Sequence, residues 1–185
     1  MTEASGVVMK SVISGLSFVT AVVIAAVSLG LSAAEPVVGP VIMSNGPVIL
    51  PPEGSYNLNP DEHYKVSIDI GDTAEFPGDI NRKLVSVARF LNMHAQAGIP
   101  KDNIEFAIVV HGKAVSDFLT DESYQARFND VNPNTTLISE LQSAGVDIYL
   151  CSQTAAFRNI GFDEFYGGVT IALSAMTSHV RLEQE

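Results

Sequence analysis

The sequence contains a single cysteine, and its position indicates nucleophilic chemistry. Cys151 directly follows a mostly apolar run, residues 146–150, which is predicted to be a strand, and precedes Ser152, a residue type that commonly caps a helix. The N–H groups at the start of a helix have no partners within the helix, and the helix dipole favours a negative charge there. We therefore expect the Cys151 thiol to ionise readily, and the thiolate is the reactive form.

His111 follows a second apolar run, residues 104–110, in the same way. A neutral imidazole beside the thiol would accept its proton, and an imidazolium would stabilise a thiolate or a persulfide anion. Both residues also have structural interpretations, because free cysteine often packs as a small buried hydrophobe and histidine is often buried too. The sequence leaves the order of the strands open, and therefore whether His111 and Cys151 meet.

The other polar residues carry weaker signals. Asp69, Asp72 and Glu75 cluster near the end of a predicted strand and could bind a cation, but they lack metal-loop spacing, which favours a solvated loop. The remaining histidines are scattered and are expected to be structural: His63, His94 and His179. The common dinucleotide, P-loop, hydrolase and zincin motifs are absent from the sequence. We therefore expect no cofactor and no metal site.

Composition narrows the class of protein. The chain has 185 residues with a formal net charge of −11, and such a field repels polyanions, which argues against nucleic acid as a partner. Charged residues make up 17% and apolar residues 46%, a balance typical of a folded domain rather than a disordered acidic tail. A single cysteine excludes an intramolecular disulfide and any site that needs several thiolates.

The amino end has the pattern of a targeting segment. Lys10 precedes an uncharged apolar run, residues 11–31, which closes with the small residues 32–34. This order is typical of a secretory signal peptide, so we predict a signal over residues 1–34 and a periplasmic or other extracytoplasmic location. The alternative is an uncleaved membrane anchor, since about 20 apolar residues span a bilayer.

Residues 35–62 contain most of the nine prolines. Proline fixes φ and removes a backbone donor, so this stretch is predicted to be an extended linker or a strap. Its apolar residues, among them Val41 and Ile42, favour docking, either on the following domain or on a neighbouring subunit.

The remainder, residues 63–185, alternates between strand and helix patterns. Strands are predicted at residues 64–70, 104–110, 146–150 and 169–172, and helices at 80–96, 113–119, 132–144, 152–157 and 175–183. Asp79 is predicted to cap the first helix. Alternating strands and helices with mostly apolar strands indicate an α/β fold, in which a parallel sheet of four to five strands carries helices on both faces. In such folds ligands bind beyond the carboxyl ends of the strands.

Three segments resemble the DsrE/DsrF-like family, in particular its secreted, signal-bearing members. They are residues 108–115 with His111-Gly112, residues 145–151 ending in Cys151, and residues 172–177. The resemblance covers about residues 63–185 and implies a flavodoxin-like three-layer sheet assembled as a homo-oligomer. In the sulfur-relay members of the family, a cysteine matching Cys151 receives sulfane sulfur as a persulfide and passes it to a partner protein. His111 matches a family position without an assigned role.

The leading hypothesis is an exported sulfur-handling protein, either a persulfide carrier or sulfurtransferase-like, with Cys151 as acceptor and His111 as proton partner or anion stabiliser. This role requires an accessible thiol. The alternative is a non-catalytic binding or assembly module in which Cys151 packs in the core, and a third possibility is an intermolecular disulfide through Cys151. An acidic chain repels anionic donors unless Lys113 and Arg158 reverse the field locally, which favours a protein as sulfur donor or acceptor. The donor, the acceptor and the existence of turnover stay open.

Overall fold

The computed structural model describes residues 34–52, 54–76 and 78–185. The predicted signal peptide or anchor therefore falls, except for Ala34, outside the described residues. Among those that are described, no helix combines the length and the apolar character needed to cross a bilayer.

A parallel sheet organises the domain, and in the described part of the chain it has four strands. The strands are β1 (Tyr64–Ile70), β2 (Ile104–Val110), β3 (Asp147–Cys151) and β4 (Thr170–Ala172), and they lie side by side in chain order. Each observed strand lies within one residue of its predicted limits. The predicted fold class, a parallel sheet with flanking helices of the flavodoxin-like kind, is confirmed.

The helices agree with the predicted pattern less closely than the strands. The described α-helices are α1 (Arg82–Gln96), α2 (Asp121–Phe128), α3 (Thr135–Ser143), α4 (Ser152–Phe157) and α5 (Ala175–Gln184). The predicted helix after β2 is a 3₁₀ helix, Gly112–Phe118. Helix α2 was not predicted because none of its residues is buried, so its sequence carries no apolar stripe.

Two predicted helix caps are wrong. The first helix is capped by Asn81 rather than Asp79, since the Asn81 side chain accepts a hydrogen bond from Lys83 N at 2.9 Å. Helix α4 begins after Cys151, and the Ser152 hydroxyl instead donates to the Leu173 carbonyl at 2.9 Å. In both places a tertiary contact selects the capping residue.

The main hydrophobic core lies on one face of the sheet. Because the strands follow one another in the same direction, right-handed crossovers put α1 and α3 on the same side. The buried apolar side chains on this side include Ile70, Leu84, Val87, Leu91, Ile108, Val110, Leu137, Ile138, Leu141 and Leu150. Each such burial stabilises the fold by about 1.5–3 kcal/mol. The opposite face is covered by α5, which lies against Tyr149 and Ala172.

The proline-rich segment docks on its own domain. Val37 and Val48 form an antiparallel bridge at 2.8 and 2.9 Å, and Ile42 and Val48 are buried in the core. The segment is held on α1 by Asn92, whose amide bonds to the backbone of residues 41–46. Of the two docking partners that the sequence left open, this domain and a neighbouring subunit, these contacts are with this domain.

Candidate functional site

The carboxyl ends of β2 and β3 bring the two predicted site residues to neighbouring positions. Val110 pairs with Leu150, so His111 and Cys151 each follow one residue later on adjacent strands. Cys151 in turn pairs with Ala172 of β4, and α5 begins three residues further on at Ala175. The thiol therefore lies where a strand ends and two helices, α4 and α5, begin.

Cys151 is largely buried, with 6% of its surface exposed. The carrier hypothesis required a more open thiol, and this burial is the contact pattern expected of the structural alternative. The surroundings of the sulfur are nevertheless polar: α4 begins directly after Cys151, α5 begins three residues after its β4 partner Ala172, and the N–H groups at a helix start are donors without helical partners.

These donors change the acidity of the thiol. Burial by itself raises the pKa of Cys151, but hydrogen bonding from the Thr154 hydroxyl and from the N–H groups of Thr154, Ala175 and Gln153 outweighs it, so the pKa lies below its ordinary value. Every one of these donors is uncharged. The thiolate is thus favoured by oriented dipoles at two helix starts.

Replacing Thr154 with valine is expected to raise the pKa of Cys151, because the variant keeps the shape and the backbone N–H but loses the hydroxyl donor. At a pH below that pKa, alkylation by iodoacetamide should slow by about threefold to tenfold. The measurement is the alkylation rate as a function of pH. Gln153→Ala is the matched control, since only its backbone N–H faces the sulfur, and an unchanged pH profile in Thr154→Val would contradict the assigned donor role.

His111 is bonded to Asp69, not to Cys151. Burial raises the pKa of Asp69, yet hydrogen bonds from His179 and His111 outweigh burial and hold the pKa below its usual value. The carboxylate is therefore ionised and accepts from both rings: His111 Nε2 lies 2.8 Å from Oδ2, and His179 Nε2 lies 3.0 Å from Oδ1. Among the described residues, Nδ1 of His111 is left without a hydrogen-bond partner.

The backbone around His111 is shaped by two glycines. A Cβ on Gly71 would lie 2.9 Å from His111 Cε1, so only glycine leaves room for the ring. The Gly71 carbonyl accepts from Lys113 N at 2.7 Å, while Gly112 turns the chain with a φ of +58°. This turn fixes the imidazole on the strand end.

The three acidic residues that were expected to share one solvated loop lie in different places and make different contacts. Asp69 lies on β1 and bonds the two imidazoles, the backbone carbonyl of Asp72 accepts from Asn81 at 2.9 Å, and Glu75 lines a neighbouring cleft. Within residues 34–185, excluding positions 53 and 77, no group of His, Cys, Asp and Glu side chains has an arrangement that would hold a metal ion.

A cleft of about 500 Å³ lies beside this edge of the sheet. One of its lining residues is Asp117, which is buried and bonded at 2.6 Å to both Thr73 and Asn81. Burial raises the pKa of Asp117, and those two hydrogen bonds offset only part of the rise. Because the fold disfavours the ionised form, this group contributes stability at low pH that is lost as pH rises through the folded-state pKa.

Anionic sulfur donors would be admitted only if Lys113 and Arg158 reversed the negative field of the protein locally. Both residues line this cleft. The same cleft is also lined by carboxylates, namely Glu75, Asp79, Asp117 and Asp130. The two cations therefore do not produce a cationic patch, and the electrostatic repulsion of small anions persists at this edge.

Sequence reasoning missed the roles of Asp69 and His179. The alternation of β1 places Asp69 on the face opposite the core, which is a signal available in the sequence. No comparable signal marks His179, because its contact depends on how α5 crosses the sheet. His94, by contrast, has a structural position: its Nδ1 lies 2.9 Å from the Phe90 carbonyl, and its ring stacks on Phe90.

Comparison with known proteins places the chain in a family. A family model described as the DsrE/DsrF-like family matches residues 68–185, which include the whole described sheet edge with His111 and Cys151. The chain belongs to the DsrE/DsrF-like family. The resemblance noted in the sequence is thereby confirmed at the level of the family, which is generally linked to sulfur relay.

A solved structure from Methanobacterium thermoautotrophicum, the protein of unknown function MTH1491, is similar to this DsrE-like chain. The two are 21% identical over 64% of this chain and 87% of that chain, with a TM-score of 0.46. None of the curated proteins matches the chain.

Proposed function

We propose that this DsrE-like protein is an exported sulfur-handling protein, a persulfide carrier or sulfurtransferase-like protein that accepts sulfane sulfur on Cys151. One observation carries the proposal: the only cysteine in the chain ends β3 at the start of α4, and hydrogen bonding from uncharged donors holds the pKa of its thiol below the ordinary value in spite of burial. A cysteine that served only as packing would need none of these donors, since a thiol in an apolar setting stays protonated.

The chemical step is a thiolate exchange. The Cys151 thiolate attacks the terminal sulfur of a donor persulfide, R–S–SH, so that an Sγ–S bond forms and the donor S–S bond breaks. The electron pair of the broken bond leaves on R–S⁻, and the hydrogen stays on the transferred sulfur. The product is a Cys151 persulfide, with no external oxidant or reductant. Transfer to an acceptor thiolate is the same step in reverse.

The charge of the protein favours a protein donor or acceptor over a small anion. The net charge of −11 and the carboxylates beside Lys113 and Arg158 disfavour thiosulfate-like ions at this edge. Because only a small fraction of Cys151 is exposed, the partner sulfur must be carried on a slender group, such as a cysteine side chain, to reach it. The role proposed for His111 as proton partner rests on its free Nδ1, because Nε2 is engaged by Asp69.

Export and self-association complete the proposal. The apolar run of residues 11–31 followed by small residues supports a cleaved signal and a periplasmic location, and amino-terminal sequencing of the exported protein tests it. Exposed apolar side chains at Phe157, Leu173 and Met176 support a homo-oligomer, which light scattering measures.

Incubation with polysulfide, or with thiosulfate and a sulfurtransferase, is expected to add about 32 Da per sulfur atom to the protein. Intact-mass spectrometry before and after a reducing agent measures the adduct. Cys151→Ser is the control and should stay unmodified, since the chain has no other cysteine. Absence of an adduct on correctly folded wild-type protein would count against the proposal.

The alternative function, a non-catalytic binding or assembly module with a structural cysteine, is favoured by the burial of Cys151. It predicts that the folded protein resists iodoacetamide and that Cys151→Ser mainly lowers stability. Alkylation of the native protein together with thermal unfolding of the variant therefore separates the two functions.

A further inference from the structure

The Asp69 carboxylate joins two histidines from different parts of the fold. His111 at the end of β2 bonds one oxygen at 2.8 Å, and His179 on α5 bonds the other at 3.0 Å. Helix α5 begins at Ala175, three residues after Ala172, which pairs with Cys151 across β3 and β4. The contact to Asp69 thus anchors the helix that begins beside Cys151, and hydrogen bonding from the Ala175 N–H is one of the causes that lower the pKa of the thiol.

Helix α5 has little apolar packing to fix its position. Ser178 is its only fully buried residue, Leu182 is half-buried, and both Met176 and Val180 are exposed. A helix that buries few apolar side chains gains less from hydrophobic contact, so polar contacts contribute to how it lies on the sheet.

Three polar contacts hold α5 and the residues around it. The Ser152 hydroxyl donates to the Leu173 carbonyl at 2.9 Å, just before the helix begins. Lys65 Nζ donates to the Glu185 carbonyl at 3.1 Å, at the far end. The His179–Asp69 bond lies between them, one helical turn from Ala175, and it ties α5 to β1.

We propose that Asp69 and His179 are positioning residues for Cys151: their hydrogen bond holds α5 so that the Ala175 N–H stays directed at the sulfur. His111, on the other carboxylate oxygen, fixes the orientation of Asp69. Neither histidine is among the groups that bond the thiol, so both act through the backbone of α5. This role rests on the proposed function, because a positioned thiolate matters only if Cys151 reacts.

The test compares two substitutions at one position. His179→Leu removes the donor to Asp69, whereas His179→Gln keeps an N–H donor at similar reach. Alkylation of Cys151 by iodoacetamide, measured across pH, is expected to slow by about threefold to tenfold in His179→Leu at a pH below the thiol pKa. The same profile should be retained in His179→Gln.

Lys65→Met is the matched control, since it removes the tie at the far end of α5 and should leave the alkylation profile unchanged. Circular dichroism and thermal unfolding verify that each variant is folded, and Asp69→Ala provides a second disruption if His179→Leu does not fold. A wild-type profile in His179→Leu would overturn the positioning role, as would equal slowing in His179→Gln or in Lys65→Met. Alkylation needs no sulfur donor, so a missing persulfide adduct contradicts the proposed function separately.

Discussion

Asn92→Ala is expected to lower the free energy of unfolding by about 2–5 kcal/mol. Asn92 is fully buried, and its Oδ1 accepts from Val41 N at 3.1 Å and Ile42 N at 2.8 Å. Its Nδ2 donates to the carbonyls of Ile42, Asn45 and Gly46 at 2.9, 3.1 and 3.1 Å. Alanine leaves these groups without partners, so the strap must either stay with unpaired polar atoms or detach and expose Ile42. Urea unfolding followed by circular dichroism measures the loss.

Gln96→Ala is the matched control for this substitution. Gln96 also donates to strap carbonyls, at 3.2 Å to Val37 and 2.6 Å to Gly39, but the first of these bonds is exposed and water can replace it. We expect a loss of about 1 kcal/mol or less. Equal losses in the two variants would mean that burial of the Asn92 amide is not what holds the strap.

Gly112→Ala is expected to destabilise the fold by about 2–4 kcal/mol and to displace the His111 ring. The residue has a φ of +58°, and an added Cβ would collide with the Gly71 carbonyl oxygen. That oxygen accepts from Lys113 and Ala114, so relief of the collision separates the ends of β1 and β2. Thermal unfolding measures the destabilisation, and the NMR signals of the His111 ring report its displacement.

Gly98→Ala isolates the collision from the backbone strain. Gly98 has a φ of +91°, and a Cβ there would meet no atom within 4 Å. The control should therefore lose only the cost of a left-handed alanine, about 1–2 kcal/mol. If both variants lose the same amount, the close approach of Gly71 and Gly112 does not contribute to stability.

The groups that stabilise the Cys151 thiolate determine how its reactivity depends on pH. A thiolate paired with a charged imidazolium depends on the protonation of that imidazole, and its reactivity changes as the imidazole titrates. In this protein the donors to Cys151 are a hydroxyl and backbone N–H groups, which do not titrate in the neutral range. The acidity of Cys151 is therefore set by how α4 and α5 are placed.

The hydrophobic pattern of the sequence was enough to predict the strands of the sheet. The alternation of Val66, Ile68 and Ile70 and the mostly apolar sequences of β2 and β3 predicted the strands within a residue, because burial on one face or both imposes these patterns directly. The position of Cys151 at a strand end followed from the same pattern. Helix α2 escaped prediction because it buries nothing and therefore carries no periodic signal.

The groups at the start of α4, including Thr154, are local to Cys151, whereas the tertiary structure alone brought α5 to this edge of the sheet. Ala175 and His179 of α5 and Asp69 of β1 lie far from Cys151 in the chain, and no local rule links residues so far apart. Strand order placed His111 beside Cys151, yet the imidazole turned to Asp69 because an ionised carboxylate is the stronger acceptor for its N–H. Sequence spacing encodes which face of an element is apolar, whereas the partners of a polar side chain depend on how the elements cross.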